Sequence, residues 1–231
     1  MCRLRAATTE ITSGRYGWLR SATSAYASSV VRSCCALRVQ NESVSESDGR
    51  GAQVGHPRRI LLYGVTGSGK TTLARRIEAI TGLPSHSIDD EVGWLPDWVE
   101  RPRDQQRDLV SQIVSSEEWV LDTAYGHWRD LVLPRTELIV ALDYPRRVSL
   151  TRLLRRTTRR LLTAEQACNG NKETLRRALS IQSIVVWHFR SFANKRAQVV
   201  AWLADSSAPP VVQIRSPQEV ENWLAALEAR Y

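Results

Sequence analysis

Cysteine is scarce in this chain, and what there is sits badly for chemistry. Of the four, Cys2, Cys34, Cys35 and Cys168, no two show C-x-x-C spacing, and the adjacent pair at 34 and 35 suits neither a metal site nor a disulfide framework. A reduced, cytosolic setting is the expectation. Long apolar runs are missing too: none approaches the ~18 residues of a membrane span, so no membrane partner is expected. What the sequence does have is apolar residue enough, 42% of 231, to build a real core in one or two domains. Its net charge of +8 is divided as +3 over residues 1–57 and +5 over residues 58–231.

Residues 1–57 differ from the rest. They hold three of the four cysteines, nine serines and only scattered aliphatics, and residues 1–40 set six arginines against the single acid Glu10. An Arg- and Ser-rich, acid-poor leader is read either as a transit peptide or as a disordered extension, the latter including translation from a start upstream of the true one. No clear amphipathic helix emerges, which favours the extension. Residues 41–57, NESVSESDGRGAQVGHP, look like a polar linker. A folded domain is expected over 58–231.

Near the start of that domain stands GVTGSGKT: Gly64, Val65, Thr66, Gly67, Ser68, Gly69, Lys70 and Thr71, followed by Thr72. It fits G-x-x-x-x-G-K-[ST] at every fixed position. An apolar run, Ile60 to Tyr63, precedes it. Leu73, Ile77 and Ile80 then recur at helical spacing up to Gly82, where a helix C-cap belongs. Glycines let backbone N–H groups turn inward around an anion, and the helix N-terminus adds partial positive charge. Residues 64–72 are therefore expected to bind a nucleoside triphosphate, with Lys70 reaching the β- and γ-phosphates and the Thr71 hydroxyl ligating Mg²⁺. The loop alone leaves open whether the phosphate is transferred, hydrolysed or merely sensed. A guanine-reading N-K-x-D does not occur, since Asn194 and Lys195 are followed by Arg196 and Ala197, which argues against a GTPase-like switch.

Further along, residues 85–88, 118–122, 138–142 and 211–214 read as strands, and residues 103–116, 146–162, 172–204 and 217–229 as helices. Alternation of this kind predicts a parallel sheet covered on both faces, whose ligands bind at the carboxyl ends of the strands. Asp89, Asp122 and Asp143 all fall at such ends. Asp122, closing an apolar strand, is where a carboxylate stands beside Mg²⁺. Asp143, before Tyr144 and Pro145, reads better as a turn residue, and Asp89 reads equally as a turn or as a substrate-side carboxylate. Trp94 and Trp98 lie in a Pro-containing loop next to Asp89, where they either sandwich a planar acceptor or pack the loop. His86, His127 and His188 read as structural. Trp119, Trp187, Trp202 and Trp223 read as core or helix-packing residues.

Residues 146–160 hold seven arginines and no acid. Arg152, Arg155, Arg156 and Arg159 share one helix face, with Leu150, Leu153, Leu154, Thr157 and Leu161 opposite. Such a face is a solvated basic surface, a nucleic-acid contact or a lid that closes over phosphates and excludes water. The lid reading, over about 152–177, favours transfer over hydrolysis.

Together these segments resemble the adenylate-kinase-like P-loop kinases, and more closely the bacterial topology modulation proteins, over about residues 58–231. WVLDTAY is similar to the segment ending L-D-G-F-P-R, which implies that Asp122 is the Mg²⁺-water carboxylate. VALDYPRRVSLTRLLRR is similar to the L-D-x-P strand and the R-[LIV]-x-x-R helix after it, which implies Arg152 beside the adenine and Arg156 on phosphate. NGNKETLRRAL is similar to the returning lid helix, with Arg176 or Arg177 near phosphate. Two departures stand out. The lid segment TAEQACNGN is short and carries no zinc-binding set, and Thr123, Ala124, Tyr125 and Gly126 replace Gly-Phe-Pro-Arg.

The expected fold is the α/β P-loop NTPase three-layer sandwich, a five-stranded parallel sheet with helices on both faces and a short helical lid. The expected activity is an ATP- and Mg²⁺-dependent phosphotransferase acting on a small-molecule or nucleotide acceptor. Lys70, Asp122, Arg156 and Asp89 would serve the chemistry, residues 64–72 and Arg152 would hold ATP, and Thr71 and Asp122 would hold the metal. Arg101 or Arg103 would hold an acceptor that is itself a phosphate. The alternative is a nucleic-acid-associated ATP-binding protein or an RNA or polynucleotide end kinase, motivated by the charge and the arginine helix.

Overall fold

The computed structural model describes residues 56–163, 165–172, 174 and 183–231. All of them belong to the second of the two units into which the chain divides, Gln53–Tyr231. Arg176 and Arg177, and residues 1–55, lie outside the described residues. Five strands, β1 (Arg59–Gly64), β2 (Ser85–His86), β3 (Trp119–Leu121), β4 (Leu138–Leu142) and β5 (Val211–Ile214), form one parallel sheet in the order β2-β3-β1-β4-β5. Strand β2 stops short of the expected residue 88. The Ile88 N–H donates to the Asp122 carboxylate at 3.0 Å instead of to a neighbouring strand.

Successive side chains of a strand face opposite ways, and β1 uses both directions for burial. Ile60 and Leu62 pack with Leu73, Ala74 and Ile77 of α1 (Lys70–Thr81) and with Val220, Leu224 and Leu227 of the last helix (Pro217–Glu228). Leu61 and Tyr63 face the other layer. There they meet Val110 and Val114 of α2 (Arg103–Ser115), Val132 of α3 (Arg129–Val132), and Val199 and Trp202 of the long helix Ile184–Ala204. This is why the strands read as continuous apolar runs rather than as alternating ones. With α4 (Arg146–Thr163) between α3 and that long helix, the last two are α5 (Ile184–Ala204) and α6 (Pro217–Glu228). Two helical layers around a five-stranded parallel sheet, with a glycine loop joining β1 to α1, make this an α/β P-loop NTPase fold.

The sheet order also sets the site. Strand β1 is central: the connection leaving it runs to β2 on one side, the connection leaving its neighbour β3 crosses to β4 on the other, and the crevice at the carboxyl ends of β1 and β3 is the switch point where such sheets bind ligands. Of the helix expected over 172–204, residues 173 and 175–182 lie outside the described residues, and the described helix starts at Ile184, where the Ser183 hydroxyl accepts the Val186 N–H at 3.3 Å as its cap. Lys172 instead pairs with Gln166 in an isolated bridge. Trp119 and Trp202 are buried as expected, but Trp187 is 57% exposed. Among the described residues no helix is long and apolar enough to cross a membrane.

Candidate active site

The loop between β1 and α1 is shaped by its glycines and by what presses on it. Gly67 has φ +83°, and a Cβ there would lie 2.4 Å from the Ser149 carbonyl of α4, so only glycine fits. Gly69 caps α1 in the left-handed region without any side-chain cap, which leaves the first N–H groups of the helix to a ligand. The Ser68 hydroxyl and the Lys70 ammonium both donate to the Val65 carbonyl, at 2.8 and 3.0 Å, folding the loop around its own centre. Burial lowers the Lys70 pKa, the charges of Asp122 and Asp89 oppose that, and Arg156 adds to the lowering. Arg156 therefore stands within electrostatic reach of Lys70.

One residue past Lys70, the Thr71 hydroxyl donates to Asp122 Oδ2 at 2.6 Å. Asp122 is 3% exposed, and its Oδ1 accepts the Ile88 N–H. Burial raises its pKa, the Thr71 hydrogen bond works against this, and the neighbouring Asp89 charge raises it further. A hydroxyl and a carboxylate held together at the foot of a phosphate loop suit Mg²⁺, which keeps most of its waters and takes only one or two protein groups beside phosphate oxygens. The donor set fits the ion.

Asp89 starts a short π-helical turn, Asp89–Gly93, and its Oδ1 accepts the Tyr125 hydroxyl. Burial and the Asp89 and Asp122 charges push the Tyr125 phenol far up, so it stays a donor. Gly93 makes room for that ring: a Cβ there would meet the Tyr125 hydroxyl at 2.6 Å. Tyr125 is one of the residues standing in place of Gly-Phe-Pro-Arg. It orients the Asp89 carboxylate.

Arg152 donates from Nη1 to the Ser68 carbonyl at 3.3 Å and lies over the Tyr144 ring at 5.4 Å, beside the loop's entry to α1. The arginine helix is not divided as the pattern implied. Ser149, Leu153 and Thr157 form its buried stripe. Leu154, expected on the inner face, is 46% exposed, while Arg156 and Arg160 are half-buried. The helix turns its stripe between the two expected faces, because it packs across the loop rather than flat against the sheet. Asp143 is buried among partners, accepting from Gln213 Nε2 at 2.8 Å and pairing with Arg196 at 3.4 Å. It joins β4, β5 and α5.

The short segment after α4 docks on the loop before α2. Asn171 accepts the Trp98 N–H at 2.8 Å and donates to the Leu95 carbonyl at 3.0 Å, and Trp98 Nε1 donates to the Lys172 carbonyl at 3.1 Å. Trp94 and Trp98 meet edge to face at 5.8 Å, a packing contact rather than two parallel plates. Arg101 Nε donates to the Val92 carbonyl at 3.0 Å, while Arg103 is exposed at the start of α2.

On α5, Lys195 escaped sequence reasoning as a site residue, and His188 was read only as structural. Lys195 Nζ lies 4.1 Å over the Tyr63 ring, and burial together with Lys70 and Arg129 brings its pKa down to about 7 against the pull of Asp89. His188 is buried against the nucleotide loop. The signal was available: residues 188, 192, 195, 199 and 202 form one helical stripe, and a lysine and a histidine interrupt its apolar members Phe192, Val199 and Trp202.

No family model matches the chain, and no curated protein does. Among solved structures it is similar to a gluconokinase from Sinorhizobium meliloti 1021, with 18% identity over 76% of this chain and 93% of that one and a TM-score of 0.44. It is also similar to shikimate kinase from Aquifex aeolicus vf5, with 19% identity over 74% and 96% and a TM-score of 0.43. A sugar kinase from Janibacter sp. HTCC2649, unliganded, shows 15% identity over 74% and 94% and a TM-score of 0.41. Likenesses this distant carry nothing about what this chain acts on; the class of fold rests on its own strand order and glycine loop.

Proposed function

We propose that this chain is an ATP-dependent phosphotransferase that moves the γ-phosphate to a small-molecule or nucleotide acceptor. The observation that carries the reading is the 2.6 Å bond between Thr71 and Asp122 next to Lys70, a metal-holding pair assembled at the mouth of a phosphate loop. Residues 64–72 hold the triphosphate by backbone N–H groups, and Arg152 lies along the nucleotide. Thr71 and Asp122 would hold Mg²⁺, which would supply neutralising charge to the phosphate oxygens there. Lys70 and Arg156 stabilise the transferring phosphoryl oxygens, and the lid segment keeps water away from them. Asp89, with one oxygen occupied by Tyr125, has its other oxygen for an acceptor hydroxyl, which it orients and deprotonates. The resemblance to the adenylate-kinase-like kinases, and to the topology modulation group among them, agrees with this reading at the loop, Asp122, Arg152 and Arg156.

Lys70→Ala is the direct variant. It removes the cation closest to the transferring phosphate and is expected to lower acceptor-stimulated ADP release by at least about a hundredfold. A Lys70→Ala protein that kept full phosphotransfer would overturn the reading.

A further inference from the structure

A loop that binds phosphate through inward N–H groups must turn its carbonyls outward, and each outward carbonyl needs a partner if it is buried. The Thr66 carbonyl, at the bend of the loop, finds one on α5, where His188 Nδ1 lies 3.1 Å away. A carbonyl oxygen only accepts, so Nδ1 carries the proton. Burial lowers the imidazole pKa, the Thr66 bond opposes this, and the Arg146 charge adds to the lowering, so the ring is neutral. The other nitrogen, Nε2, has no hydrogen-bond partner among the described residues. The side chain is fully buried, with Phe189 and Phe192 at 6.0 and 5.8 Å. As mere packing, an imidazole with one bare nitrogen is a worse choice than leucine or phenylalanine. What it adds is the one bond to Thr66.

A peptide plane transmits that bond. In a trans peptide the C=O of one residue and the N–H of the next point in opposite directions and cannot rotate separately, and the chain has no cis peptide among the described residues. Holding the Thr66 carbonyl toward α5 therefore aims the Gly67 N–H the other way, into the loop. The rest of the α5 stripe backs the same stretch: Phe192 and Lys195 line a small cavity with Gly64 and Val65. We propose that His188 is a positioning residue of the nucleotide loop, fixing the Thr66–Gly67 peptide so that its N–H is presented to a nucleotide phosphate.

This rests on nucleotide binding by the loop, not on transfer to an acceptor, so the test reads binding. Calorimetric titration of the full-length chain with ADP and with ATP, in Mg²⁺, compares wild type with His188→Asn, His188→Gln and His188→Leu, each checked by thermal melting. The asparagine amide N–H reaches where Nδ1 lies and should retain wild-type affinity. The glutamine amide sits where Nε2 lies and, like leucine, should weaken binding about tenfold, the effect of one hydrogen bond. Unchanged affinity in folded His188→Leu, or equal weakening by asparagine and glutamine, would overturn the proposal. If the leucine variant does not fold, the two amides, equal in polarity, decide it alone. A wild type that binds ATP without transferring phosphate would count against the transferase reading and leave this test standing.

Discussion

Lys195 is the residue whose energetics are most readily measured. Its ordinary pKa, near 10.5, falls to about 7 in the fold because it is desolvated over Tyr63 with Lys70 and Arg129 in reach and only Asp89 opposing them. Between those two values the unfolded chain binds a proton that the folded chain does not, so stability rises with pH across that window. Below pH 7 both states are protonated and the folded chain carries the whole cost of the buried charge. Lys195→Met removes the cost. It should melt higher than wild type at and below pH 7, with the advantage shrinking toward pH 10.5; a difference in Tm that does not change with pH would contradict the assignment. Lysines 70 and 195 also mark the limit of reading residues from sequence. Lys70 is legible because its neighbours spell a motif. Lys195 lies in no motif, and only the folding of α5 against β1 brings it to the same place.

At the scale of elements, residues 169–172 after α4 are tied to the loop before α2, and Asn171 is the joint. Its side chain is buried, accepts from Trp98, and donates to the carbonyls of Leu95 and Cys168. Asn171→Ala removes the side-chain bonds to the Trp98 N–H and the Leu95 carbonyl, while the Cys168 carbonyl keeps the backbone N–H of residue 171, so the cost is about 1–3 kcal/mol for each of the two lost bonds that water cannot replace. We expect a lower Tm and a raised KM for the acceptor with the KM for ATP unchanged, since the nucleotide loop lies elsewhere. Equal changes in both KM values would show that the segment serves the nucleotide instead. The strands and most helices were legible because continuous apolar runs and capping residues are local signals: Gly82 ends α1 and Ser216 starts α6. The arginine helix was legible as a helix but not in its rotation. That depends on Gly67 letting α4 lie across the loop, a contact between residues 82 positions apart, Gly67 and Ser149.

For the molecule as a whole, strand order does the gathering. With β1 at the centre, the loop after β1, the carboxylate after β3 and the turn after β2 share one crevice, and Thr71, Asp122, Asp89 and Tyr125 come together although they span 54 positions of sequence. The sequence predicted Thr71 in the glycine loop and Asp122 and Asp89 at strand ends. It did not predict that Tyr125 would orient Asp89, because that bond depends on Gly93 leaving space for the ring. Positive charge is gathered at the same end, where Lys70, Lys195, Arg129 and Arg156 act on one another. An arrangement so rich in cations around two carboxylates suits a phosphate being passed, and the measurement that tests this most directly follows the phosphate itself. The full-length chain would be given ATP labelled at the γ-phosphate, with Mg²⁺ and a panel of nucleoside monophosphates, nucleosides and hydroxylated metabolites. The account predicts that one acceptor stimulates ADP release and carries the label. Label recovered only as inorganic phosphate would contradict it.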